Sequence, residues 1–235
     1  MKIVGIQKMT LLDYPGKIAC TVFLNGCNFL CPYCHNSELL NSEIQELMDE
    51  NGFFSFLEKR TGLLDAVCIS GGEPTLHSGL EAFIRKIKKM GYLVKLDTNG
   101  YRPEILRHLL EENLLDYVAM DIKNDLEHYE LTAGVKNFDG KKIIESMKLL
   151  VEGNTEYEFR TTVAEEFHNE KSFEEINKLF QSISGEKKIK KYFLQPFVDR
   201  DTVMFSNLHA PNVERLKIYA KYVELSVDDI QIRGI

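Results

Sequence analysis

The sequence predicts a parallel α/β protein, a partial (β/α)6 TIM-like barrel, and three observations carry that expectation. Six β-branched and aromatic runs alternate with amphipathic stretches along the chain. The runs are apolar at successive residues, the pattern of strands covered on both faces by crossover helices and a packed interior. Each run also ends in polar or glycine residues, at the strand ends where α/β folds gather their chemistry. An open doubly wound sheet is the alternative arrangement of the same elements.

The runs are KIACTVFLN (17–25), DAVCIS (65–70), YLVKLD (92–97), DYVAMD (116–121), YEFRTTV (157–163) and KKYFLQP (190–196). Helix starts are signalled by Ser78 with Glu81 and by Ser172 with Glu175, each at the spacing of a capping box, in which hydroxyl and carboxylate satisfy exposed backbone N–H groups. A last helix is expected from about Pro211 to Glu224. With no low-complexity tract, internal repeat or Pro/Gly/Ser linker to mark a boundary, residues 1–235 read as a single domain.

Composition narrows the function classes. The chain carries 29 basic and 36 acidic residues for a net charge of -7 and a pI near 5.5, which argues against a general nucleic-acid field and against docking on anionic membrane. MKIVGIQKMTLLDYPGK has no signal-peptide pattern and no window of about 18 apolar residues occurs. The expected location is therefore the cytoplasm. Five cysteines, three of them crowded into eight residues, suit metal or redox chemistry in a reducing compartment better than a disulfide framework.

At the carboxyl ends of the six runs stand, in order, the cysteine loop, SGGEP (70–74), DTNG (97–100), MDIK (120–123), Arg160-Thr161-Thr162 and Gln195-Pro196. Each cluster alone could be ordinary turn chemistry. Gly71-Gly72, lacking Cβ atoms, would let backbone approach a ligand. Asp121 and Lys123 lie two apart, so an extended strand directs both side chains to one face, costly for charges on a buried strand unless they are paired or used. No GxGxxG, GxxxxGK[ST] or HExxH pattern occurs.

Residues 27–36, CNFLCPYCHN, satisfy several patterns. CPYC resembles a glutaredoxin dithiol, but no thioredoxin-like core is recognisable and the chain is more than twice the expected length. CPYCH resembles a haem attachment site, without the export or helical globule that chemistry accompanies. Closed tetrahedral zinc would need a fourth ligand, and His35 adjoins Cys34, an arrangement that rarely directs both at one ion. Three thiolates from Cys27, Cys31 and Cys34 on a loop can instead ligate three irons of a [4Fe-4S] cube and leave the fourth open.

CxxxCxxC with aromatic Tyr33 before the last cysteine resembles the radical S-adenosylmethionine (SAM) enzymes, over nearly the full chain. TLLDYPGKIACTVFLNGCNFLCPYCHN with SGGEPTL, LDTNG and MDIK is similar to the glycyl-radical-enzyme activases, most like the longer activating proteins of anaerobic ribonucleoside-triphosphate reductase; DYPG (13–16) and CHN (34–36) are the more specific pieces. The resemblance implies that Cys27, Cys31 and Cys34 hold a [4Fe-4S] cluster whose open iron binds SAM. It places Gly71, Gly72 and Glu73 at the methionine amino group, and Tyr33, His35 and Asn36 against SAM. Lys123 and Arg160 fall near the SAM carboxylate and ribose, and the strand-end residues Thr98, Asn99, Asp121 and Gln195 join the cofactor contacts. Asp97, Thr98 and Asp121 match a monovalent-cation site of the pyruvate formate-lyase activases. Those enzymes also carry a histidine soon after the last barrel strand, where this chain has Val198.

The implied reaction is reductive cleavage of SAM to a 5'-deoxyadenosyl radical that abstracts a glycine hydrogen from a partner enzyme, with flavodoxin or ferredoxin as electron donor. Alternatives are a different glycyl radical enzyme, a small-molecule substrate, or a non-enzymatic zinc or thiol-transfer protein. Cys20 and Cys68 read as buried small hydrophobes, too few for a second cluster. His77 and His168 read as surface or loop residues.

Overall fold

The computed structural model describes residues 1–41, 43–185 and 187–234. Eight strands lie in chain order in one sheet: β1 (Ile3–Thr10), β2 (Ala19–Leu24), β3 (Ala66–Gly71), β4 (Leu93–Thr98), β5 (Tyr117–Asp121), β6 (Glu156–Val163), β7 (Ile189–Pro196) and β8 (Val227–Ile232). The six expected runs are β2 to β7, each displaced by no more than two residues at either end. Helices α1 (Glu50–Glu58), α2 (Leu80–Lys89), α3 (Pro103–Glu111), α4 (Tyr129–Ala133), α5 (Gly140–Glu152), α6 (Glu170–Ser184) and α7 (Val213–Val223) alternate with them.

The two additional strands, β1 and β8, occupy the sheet edges, and β1 pairs antiparallel with β2. Both are half-solvated: β1 runs from buried Ile3 through intermediate residues to exposed Gln7, Lys8 and Met9, and β8 carries Asp228 and Asp229. Edge strands need no continuous apolar run, so neither gives the signal by which the inner six are read.

The backbone divides into two compact units. One comprises residues 1–28, 36–98 and 104–119, the other 29–35, 99–103 and 120–235. In the first, β2, β3 and β4 are parallel and in register, Thr21 opposite Cys68 and Cys68 opposite Lys95. Tyr14, Ala19, Ala66, Cys68 and Tyr117 form a buried cluster there, with Leu93 packed against it. Cys20 and Cys68 are fully buried, as expected, and burial pushes both thiols up to about 12. In the second unit β6, β7 and β8 are parallel. There Phe173 stacks on Tyr219 and Phe159 on Phe180, bringing α6 against α7 and β6.

Two helix starts differ from expectation. Ser78 is not a cap: α2 begins after Gly79, and Glu81 is drawn instead to Arg85 and His108. The chain leaves a 3-10 turn at Pro74–Leu76 and closes Leu80 N–H onto the His77 carbonyl, so Ser78 lies outside the first helical turn. At α6 the capping box exists but is built three residues earlier, Asn169 accepting from Ser172 N–H and Ser172 Oγ from Asn169 N–H. Asn caps about as well as Ser, so a helix that begins at Glu170 uses Asn169 and leaves Ser172 as the third residue of the box. Glu175 pairs with Lys178. The last helix follows its expectation closely, capped by Asn212.

Candidate functional site

In the first unit the loop after β3 is built by backbone closeness. Gly71 has φ +119°, and a Cβ there would stand 2.3 Å from Leu24 backbone atoms; one on Gly72 would stand 1.9 Å from the Gly26 carbonyl oxygen. Gly72 N–H donates to Leu24 and Glu73 N–H to Gly26, tying the GGE segment to the chain just before Cys27. The Glu73 side chain is fully buried. Its Oε1 accepts from Thr75 N–H (3.0 Å), Thr75 Oγ1 (2.5 Å) and Thr98 Oγ1 (2.8 Å), so β4's end is pinned to the loop after β3. Asn36 Nδ2 lies 3.4 Å from the Gly71 carbonyl, and the exposure of Cys27 is intermediate.

Asp97, at the end of β4, takes Lys95 Nζ on Oδ1 at 2.5 Å and Ser70 Oγ on Oδ2 at 3.0 Å. Lys95 is 1% exposed and its ammonium sits 5.9 Å from the Tyr117 ring centre. Sequence reading missed Lys95. Its place two residues before Asp97 in an otherwise apolar strand was the available signal.

The second unit carries Cys31 and Cys34. Burial pushes the Cys31 thiol up to about 11, with Lys123 opposing the shift. The loop is held from three sides: Leu30 N–H donates to Ala133, Phe29 packs on Tyr101 and Tyr129, and His35 Nε2 lies 2.7 Å from the Val198 carbonyl. Thr202 Oγ1 closes on the His35 carbonyl at 2.7 Å, and the His35 ring lies beside Phe197. Burial lowers the His35 pKa, so this histidine is neutral near pH 7.

Asp121 is the electrostatic centre of this unit. Lys123 Nζ lies 2.9 Å from one carboxylate oxygen and Arg160 Nε 3.1 Å from the other. Burial alone would raise the Asp121 carboxyl, but the two cations outweigh it and hold it at about 2. Asn99, buried, accepts Tyr101 N–H in a tight turn, and Ser146 Oγ donates to the Gly100 carbonyl. Gln195 is partly exposed near the end of β7.

His168 lies in the loop between β6 and α6, as one of the two expectations had it, but it is buried rather than on the surface. It is 2% exposed, with Nε2 2.8 Å from the Lys123 carbonyl and Nδ1 3.2 Å from Ala164 N, between the rings of Tyr33 and Phe173. Its polar environment is assembled by chain segments remote in sequence, which no local pattern announces. Asn124 and Thr132 extend the same buried network. His77 is partly buried, with Nε2 2.9 Å from the Asn25 carbonyl.

Cys31 and Cys34 flank one loop turn and Cys27 precedes Cys31 by four residues in the chain; thiols at this spacing could hold an iron-sulfur cluster, and metal ligation would relieve the burial penalty on Cys31. The Tyr33 hydroxyl is buried without a hydrogen-bond partner among the described residues, an orphaned polar atom beside that loop. The residues fit the monovalent cation poorly. Asp97 already holds an ammonium and Asp121 two cationic groups. A further unit charge about 4 Å from an ammonium meets a repulsion of about 4 kcal/mol at an effective dielectric constant of 20.

The first unit carries Cys27 and a glycine-built loop, and the second carries Cys31, Cys34 and a guanidinium-ammonium-carboxylate cluster, each at the end of a strand of a mostly parallel sheet. The Radical SAM superfamily profile matches residues 21–180. A Methanocaldococcus jannaschii protein named for glycyl-radical enzyme activation is 32% identical over 98% of this chain and 95% of its own length. The pyruvate formate-lyase 1-activating enzyme of Escherichia coli K12 is 31% identical over 69% of this chain and 67% of its own. Among solved structures, a domain of the Bacteroides vulgatus pyruvate-formate lyase-activating enzyme superposes with a TM-score of 0.58, covering 72% of this chain and 99% of that one at 19% identity. Escherichia coli QueE gives 0.57, covering 99% and 93% at 15% identity; both likenesses concern the fold. The chain belongs to the radical SAM superfamily and, within it, to the glycyl-radical enzyme activating enzymes. No helix among the described residues is long and apolar enough to cross a membrane.

Proposed function

We propose that this activase serves an anaerobic ribonucleoside-triphosphate reductase in the cytoplasm. The observation that carries the choice of partner is Val198: where the pyruvate formate-lyase activases place a histidine, this chain has a valine, 48% exposed, whose backbone carbonyl is engaged by His35. Residue 198 itself therefore offers no imidazole, and the one beside it, His35, is turned onto the Val198 carbonyl. Identity of 31–34% to pyruvate formate-lyase activating enzymes supports that system as the second reading.

In this reading Cys27, Cys31 and Cys34 hold the [4Fe-4S] cluster. When loaded, the cluster supplies the electron that cleaves SAM reductively and so provides the hydrogen-abstracting radical, with flavodoxin or ferredoxin as donor. The chain's own residues bind and orient. Backbone at Gly71, Gly72 and Glu73 receives the methionine amino group, and the buried Glu73 carboxylate keeps that loop in place. Lys123 and Arg160, fixed by Asp121, present positive charge to the SAM carboxylate and ribose. Tyr33, His35, Asn36, Thr98, Asn99 and Gln195 complete the cofactor contacts, and apolar strands exclude water. Both compact units recruit segments from within the other's sequence span, which supports residues 1–235 acting as a single domain.

The test is anaerobic co-incubation of cluster-loaded enzyme, SAM and reductant with each candidate partner, followed by EPR. A protein-based doublet on the reductase alone supports the proposal. A doublet on pyruvate formate-lyase alone selects the second reading, and deoxyadenosine without a doublet on either directs the search to another substrate.

A further inference from the structure

We infer that Lys95 is the built-in cation of Asp97, so that this enzyme works without the monovalent metal ion its carboxylates would otherwise call for. The inference deepens the activase reading and rests on it for the role of Asp97 at the strand end.

Lys95 and Asp97 lie two apart on β4 and so project from one face of the strand. The neighbours of Lys95 on that face in the first unit include Cys68, opposite it on β3, and the Tyr117 ring, with the Asp13 carboxylate beyond Cys68 held by Thr21 Oγ1. The Lys95 side chain is 2% exposed, so its ammonium has left water, which is tolerated only with a carboxylate in contact. Asp97 supplies that carboxylate through Oδ1, while Ser70 Oγ occupies Oδ2. A potassium or sodium ion at Asp97 needs several oxygen ligands whose lone pairs are free to turn towards it. Here the pair Lys95-Asp97 sums to zero charge, and its oxygens already have donors. Unlike a dissociable ion, the tethered ammonium fixes the Asp97 carboxylate at every salt composition.

The experiment compares cluster-loaded wild type with Lys95→Met and Lys95→Arg in potassium, sodium or choline acetate at equal ionic strength. Thermal melting and thallium-205 NMR line broadening, thallous ion standing in for potassium, are read beside deoxyadenosine formation. Wild type and Lys95→Arg should melt alike in all three salts and leave the thallium line sharp. Lys95→Met should be stabilised by potassium in a saturable way and broaden the line, because ion binding to the folded state raises stability by mass action. A saturable potassium response in wild type overturns the inference, as does a folded Lys95→Met that remains indifferent to potassium. If Lys95→Met does not fold, wild type and Lys95→Arg decide it: indifference in both supports the inference, and a response in either overturns it. Loss of deoxyadenosine formation in wild type would instead defeat the activase reading and leave the ion-binding result standing.

Discussion

Thr98 Oγ1 donates to the buried Glu73 carboxylate across 2.8 Å, joining the end of β4 to the glycine loop after β3. Three donors converge on one carboxylate oxygen, so the loop's shape depends on residues 25 positions apart in sequence. Thr98→Val preserves volume and removes one donor. The expected loss is about 1–3 kcal/mol of unfolding free energy in a denaturant titration. An unchanged midpoint would show that the contact does not hold the loop.

Gly72→Ala should be far more damaging than a surface change. The new Cβ would stand 1.9 Å from the Gly26 backbone oxygen, and backbone cannot move aside cheaply. A loss of more than about 3 kcal/mol is expected, seen as a lowered melting temperature or lost soluble yield. A variant that melts like wild type would refute the close approach.

Among the cysteines, Cys27→Ala, Cys31→Ala and Cys34→Ala should each abolish the visible absorption of the reconstituted cluster. Cys20→Ala and Cys68→Ala should retain it, because both thiols lie buried within strands. Iron content measured alongside absorbance separates failed loading from failed folding.

His168 gives a pH signature. Burial lowers its pKa in the folded state, so below the unfolded value of about 6.5 the unfolded chain binds the proton more readily. Stability should therefore fall as pH drops from about 6.5 towards the folded pKa, by at most about 1.4 kcal/mol per pH unit for one group. His35, lowered by the same cause, adds to the slope. His168→Gln should flatten the curve without removing it. An identical slope in both proteins would contradict a buried neutral His168.

Arg233→Met tests the last strand. Arg233 forks onto Glu158 at 2.8 and 2.9 Å and lies over the Phe193 ring, while Glu158 is only 1% exposed. Removing the guanidinium takes the forked cation from a buried carboxylate, at a cost of up to about 3 kcal/mol, the low end for such pairs because Arg233 is itself 30% exposed. Glu158→Gln in the same background should recover part of the loss.

The six inner strands are legible in the chain, because burial on both faces demands continuous apolar runs, and so is the cysteine loop, because three thiols within eight residues are a local chemical statement. So too is the placing of Asp121 and Lys123 on one face, since strand geometry alone requires that. The edges β1 and β8, whose half-solvated residues carry no continuous run, emerge from the folded chain alone. The same holds for the capping of α6 by Asn169 rather than Ser172, the burial of His168 against the Lys123 carbonyl, and the meeting of Lys95 with Asp97 rather than solvent. These outcomes turn on which groups lose water, and that depends on segments far apart in the chain.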